Sequence, residues 1–104
     1  MSVRYKVDFN TLEWESPGAG VRHKYLDQEG TRLRLVEYSN NMPLHWCEKG
    51  HRGYVLEGIL EIEYENETAI YRKGDGVFIP DGPDHKHRGR VMGDTALVFF
   101  IEHI

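Results

Sequence analysis

The chain has 104 residues and a formal net charge of −4, with 39% hydrophobic and 29% charged residues, the balance of one ordinary water-soluble domain. The acidic balance and the lack of a Lys/Arg run argue against nucleic acid as the main partner. No apolar run approaches the roughly 20 residues that a membrane span needs. A chain this short buries a modest core and is often stabilised further by a partner subunit or a metal. Its single cysteine excludes an internal disulfide framework and suits a reducing compartment. The N-terminal "MSVRYKVDFN" has no apolar signal core, so the expected location is the cytoplasm.

No long stretch repeats with the 3.6-residue period of a helix. Apolar residues recur every second position or in short runs, bounded by Gly, Pro, Asn and Asp. The pattern predicts strands over 5–9, 21–26, 31–38, 53–57, 59–64, 68–71, 76–79, 85–88 and 95–101. "ESPGAG", residues 15–20, reads as a loop within one domain. In "TRLRLVEY", Leu33 and Leu35 take one face and Arg32 and Arg34 the other, so Arg34 points either into the protein or into water.

"YVLEGILEI" reads as two strands meeting at Glu57-Gly58, where glycine permits a tight turn. "LEIEYE" alternates cleanly: Leu60, Ile62 and Tyr64 face a core, and Glu61, Glu63 and Glu65 face water. "ALVFFIEHI" is nearly all apolar, as in a strand covered on both faces. Turn signals every 8–12 residues or so predict an all-β sandwich or barrel. Periodicity alone leaves jelly roll, OB-fold and immunoglobulin-like sandwich open.

The chemistry concentrates in two segments. "HWCEKGH" carries His45, Cys47 and His51; "KGDGVFIPDGPDHKH" carries His85 and His87. Residues two apart on a strand share a face, so His45 can project with Cys47, and His85 with His87. Neutral imidazole and thiolate are good ligands for Zn²⁺, Fe²⁺, Ni²⁺ or Cu²⁺. Segments about 34 residues apart can pair as neighbouring strands and converge their ligands. The bland alternative is a set of surface histidines with a stray thiol, and "HxH" alone is a weak signal.

The second segment matches G(x)5PxG(x)2H at Gly74, Pro80, Gly82 and His85, and so resembles the second motif of the cupin superfamily. The first segment resembles the first cupin motif, G(x)5HxH(x)3-4E(x)6G. His45 and Gly58 match it, while Cys47 stands at a histidine position and His51 at the glutamate. Ser39 replaces the opening glycine of that motif, and Gly89 replaces the closing asparagine of the second.

The resemblance covers about 31–101. It implies a double-stranded β-helix, the RmlC-like jelly-roll barrel, with residues 31–101 as barrel core. Residues 1–30 would then be N-terminal strands available for a dimer contact, and a homodimer is expected. It also implies a divalent transition metal inside the barrel (Zn, Fe or Ni), with His45, Cys47, His51 and His85 as the available ligand set. A small organic substrate handled by oxygenase- or isomerase-like chemistry is expected, with a non-enzymatic ligand- or metal-sensing module as the alternative. His87 is a catalytic or pocket candidate, and Arg34, Tyr54 and Phe99 are further pocket candidates. Met42 is placed near the barrel mouth, and Trp46, between His45 and Cys47, is expected to face away from them.

Overall fold

The computed structural model describes residues 2–104. Nine strands form: β1 (Glu15–Gly18), β2 (Val21–Gln28), β3 (Thr31–Ser39), β4 (His51–Glu57), β5 (Ile59–Tyr64), β6 (Thr68–Arg72), β7 (Gly76–Ile79), β8 (His87–Val91) and β9 (Thr95–His103). They make a six-stranded sheet in the order β1-β2-β3-β9-β4-β7 and a three-stranded sheet in the order β6-β5-β8. Every pairing is antiparallel. The fold is all-β, two sheets closed face to face on one core, as the periodicity and the motif resemblance imply.

Alternation explains that core. Val36, Val55 and Val98 are fully buried at the centre, from the neighbouring strands β3, β4 and β9. Leu60 and Ile62 face them from β5 and Val91 from β8 in the smaller sheet, and Val77 and Ile79 of β7 extend the core on their own sheet. Glu61 and Glu63 lie on the opposite face of β5 and pair with Arg90 and Arg88 of β8. At Gly58 the chain turns with φ +84°, and a Cβ there would stand 2.4 Å from the Thr95 carbonyl oxygen, so only glycine fits.

Three expectations change. Residues 5–9 form no strand: the Asp8 carboxylate accepts from the Asn10 amide (3.0 Å) and caps a 3-10 turn over Phe9–Thr11, which bends the chain out of extension. "ESPG" is strand β1, because Gly20, at φ +73°, lets it fold back on β2. The strand predicted over 85–88 begins only at His87, because the 3-10 turn Pro83–His85 intervenes.

The two faces of β3 and β9 also sort against hydropathy. Arg34, Val36 and Tyr38 face the interior, paired with Phe100, Val98 and Ala96 of β9. Leu33 and Leu35 fall on the outer face, opposite Ile101 and Phe99. There Phe9 packs edge-on against Phe99 (5.9 Å), while Ile101 stays half exposed. So β9 is covered on both faces only in part.

Candidate functional site

Between the sheets lies a cavity of about 350 Å³. Leu60, Ile62, Val77, Ile79 and Phe100 form its apolar wall. His45, Cys47, His51 and His87 line it, together with Arg34, Tyr38, Met42 and Glu102. One cavity thus collects four of the five motif side chains.

The fifth, His85, stands apart. Gly82, at φ +117°, turns the chain into the Pro83–His85 turn, which leaves the His85 side chain exposed against a second cavity beside Tyr64 and Tyr71. The two-residue rule for a shared face fails because His85 precedes the strand. The backbone of His85 still reaches the first cavity, since its carbonyl oxygen lies 3.0 Å from His87 Nδ1. A carbonyl only accepts, so Nδ1 of His87 carries the proton and Nε2 presents a lone pair. That Nε2 is buried and, among the described residues, has no hydrogen-bond partner. Burial lowers the pKa of His87 below 6.5, and the nearby His51 and His45 lower it further, against the opposing pull of the hydrogen bond to His85. The ring is therefore neutral at pH 7.

His51 opens β4 and stacks on Phe100, with centroids 4.6 Å apart and planes 28° apart. Its ring centre lies 5.4 Å from that of His87. His45 and Cys47 sit on the irregular segment between β3 and β4. This segment is pinned to the second motif: Cys47 and His87 bond through both backbone groups, Gly82 N bonds to Glu48 O (2.9 Å), and Gly50 N bonds to the Asp81 carboxylate (2.6 Å). Trp46 faces away, carrying Arg88 and Lys86 over its ring at 4.7 and 5.5 Å.

Arg34 lies inside. Its guanidinium grips Glu102 with two bonds, Nε to Oε1 at 3.0 Å and Nη2 to Oε2 at 2.9 Å, and Nη1 reaches His23 Nδ1 at 3.2 Å. Two expectations for the site do not hold. Tyr54 and Phe99 pair with each other on the outer face of the large sheet and line no part of the cavity. His23 stands beside the Arg34–Glu102 pair, its Nδ1 3.2 Å from Arg34 Nη1.

Sequence reasoning missed Glu102 and Tyr38. The signal for Glu102 was the alternation Ala96, Val98, Phe100, Glu102, hidden because the intervening residues are apolar too. Tyr38 is pushed up to about 12, chiefly by burial, so its phenol stays protonated.

Among the described residues, no group of three or more His, Cys, Asp or Glu side chains is arranged to hold a metal ion. The chemistry of the set still fits one: three imidazoles and a thiol share a cavity, and two buried ring nitrogens, His51 Nδ1 and His87 Nε2, have no hydrogen-bond partner among the described residues.

The model of the cupin domain matches residues 32–102. The chain belongs to the cupin superfamily. No curated protein matches this cupin. Among solved structures it is similar to an RmlC-like cupin from Shewanella frigidimarina (17% identity, 95% of this chain and 89% of that one, TM-score 0.72). It is also similar to the polyketide cyclase RemF from Streptomyces resistomycificus (26% identity, 95% and 78%, TM-score 0.72). A third is hydroxypropylphosphonic acid epoxidase from S. wedmorenis (12% identity, 89% and 56%, TM-score 0.72). No helix of the described cupin is long and apolar enough to cross a membrane.

Proposed function

We propose that this cupin binds a divalent transition metal in the cavity between its sheets, through His51 and His87 with His45 and Cys47 as the further donors, and acts there on a small organic substrate. The observation that carries the reading is the unpartnered Nε2 of buried His87, turned to its acceptor form by the His85 carbonyl. A second-sphere bond of this kind orients metal-ligating histidines generally. His85 takes the supporting place through its backbone, and His87 supplies the side chain. Because the donors do not form a metal-holding group among the described residues, and the backbone of Cys47 is already bonded to that of His87, rotation of the His45 and Cys47 side chains would complete the set with the His51–His87 pair. The softness of the set favours Zn²⁺, Fe²⁺ or Ni²⁺ over Mg²⁺ or Mn²⁺.

A bound metal of this kind supplies Lewis acidity or an open coordination position for oxygenase- or isomerase-type chemistry. An Fe(II) form of the phosphonic acid epoxidase is among the similar structures, which supports a metal without naming this one. The residues of the chain supply the rest. The apolar wall of Leu60, Ile62 and Phe100 excludes water, and Tyr38 offers a protonated hydroxyl at the cavity surface. A second reading, a closed non-enzymatic metal- or ligand-sensing site, is favoured by one observation: the Cys47 thiol lines the same cavity, and four protein donors fill a tetrahedral Zn²⁺. The proposed setting is a homodimer in the cytoplasm.

The test is elemental analysis of protein purified without chelator, alongside His87→Gln and His51→Ala. Stoichiometric transition metal in the parent and its loss in both variants is the expected result. A parent protein that takes up no metal, even when Zn²⁺ or Fe²⁺ is offered, overturns the proposal. Metal retained by His87→Gln removes His87 from the ligand set.

A further inference from the structure

We propose that Arg34 and Glu102 form a positioning pair for His51, holding its imidazole as the Nδ1–H tautomer so that Nε2 is the nitrogen offered to the cavity. The inference deepens the metal-binding reading and rests on it for what Nε2 would bind.

Three neighbouring strands build the arrangement. Arg34 comes from β3, Glu102 from the adjoining β9, and His51 from the start of β4 on the far side of β9. The Glu102 side chain is only 3% exposed and that of Arg34 only 14%. The two bonds from Arg34 fix the plane and direction of the carboxylate. Its Oε2 then stands 3.4 Å from His51 Nδ1. This ring nitrogen is buried, and among the described residues it has no other polar partner. A carboxylate only accepts, so the stable partner at that position is Nδ1–H, and the lone pair passes to Nε2.

Packing keeps the ring from escaping. One face of His51 stacks on Phe100, and the Arg34 guanidinium lies 5.5 Å from the centre of the same phenyl ring. Gly53 leaves the space this requires, since a Cβ there would come 2.7 Å from Phe100 Cδ1. His51 and His87 thus have the same polarity by different means. A side-chain carboxylate holds Nδ1 of one, and a backbone carbonyl holds Nδ1 of the other.

The test reads the tautomer first. Long-range ¹H–¹⁵N NMR of the metal-free, full-length protein reports which nitrogen of His51 carries the proton, and Nδ1–H is the expected result. The variant is Arg34→Met combined with Glu102→Leu, which removes both charges together and leaves neither buried alone. In it the Nε2–H form becomes populated, and Co²⁺ affinity in a competition titration falls about 10–100-fold, the usual effect of losing such a partner. Nε2–H in the parent protein overturns the proposal, as does a folded double variant that binds Co²⁺ as tightly as the parent. A double variant that does not fold leaves the parent's tautomer to decide. Failure of the parent to bind Co²⁺ defeats the metal reading alone, since the tautomer is read without metal.

Discussion

Cys47 and His87 form a small antiparallel bridge, Cys47 N to His87 O at 2.8 Å and His87 N to Cys47 O at 2.9 Å. The backbone that carries the thiol is thereby fastened to the backbone that carries the buried imidazole. Two segments 40 residues apart in sequence meet at one point of the cavity wall, and the thiol lines the same cavity as the imidazoles of His45, His51 and His87.

This arrangement predicts a role for the thiol that can be measured. With Co²⁺ as reporter, the parent protein should show a thiolate-to-cobalt charge-transfer absorption that Cys47→Ser lacks. Cobalt affinity should fall about 10–100-fold in that variant. An unchanged spectrum would mean an open site formed by histidines, the pattern of catalytic metal centres.

The Arg34–Glu102 pair predicts an asymmetric effect on stability. Glu102→Ala leaves a buried guanidinium without its carboxylate, and breaking a buried pair in this way costs about 3–5 kcal/mol. Arg34→Met with Glu102→Leu should recover most of that loss, because no buried charge is left over. Urea unfolding of the single and double variants checks both halves.

The same pair sets a pH dependence. Burial by itself would raise the Glu102 carboxyl, but the His51 imidazole 3.4 Å away, the two hydrogen bonds from Arg34 and the Arg34 charge outweigh it and hold the group at about 2, against an ordinary 4.5. A carboxylate with a lower pKa folded than unfolded contributes stability that is complete above the unfolded value and is lost as pH falls through the folded one. Between about pH 4.5 and 2 the parent should therefore lose stability more steeply than the double variant. Urea midpoints measured across that range give the two slopes.

Gly58 predicts a local backbone effect. Its φ of +84° and the Thr95 carbonyl oxygen 2.4 Å from a would-be Cβ both exclude a side chain. Gly58→Ala should cost about 1–3 kcal/mol from the backbone conformation alone. The readout is a lowered thermal midpoint, with metal content followed in parallel to show that the change is structural.

The outer face of the large sheet predicts association. Tyr54, Phe78 and Ile101 lie there, Tyr54 and Ile101 about half exposed and Phe78 more so, an apolar group that a second copy would cover. Size-exclusion chromatography with light scattering should give a dimer for the parent and a monomer for Ile101→Arg with Phe78→Asp. A monomeric parent at concentrations of tens of micromolar removes the homodimer from the description.

By itself the sequence determined the class of fold and most of the strands, because period-two alternation and glycine turns are local properties that survive without knowledge of neighbours. "LEIEYE" and Gly58 stand where that reasoning puts them, and the spacing of Gly74, Pro80 and Gly82 identified the superfamily. The sequence also named the segments that carry the chemistry. The tertiary structure decided which side chains point inward. Alternation divides a strand into two faces without saying which is buried, so Arg34 and Glu102 lie inside while Leu33, Phe99 and Ile101 lie outside. It also decided between His85 and His87. A 3-10 turn of three residues before β8 shifts which side chain reaches the cavity, and its geometry depends on how "PDGPDH" docks against the Glu48–Gly50 backbone, a contact between segments far apart in the chain.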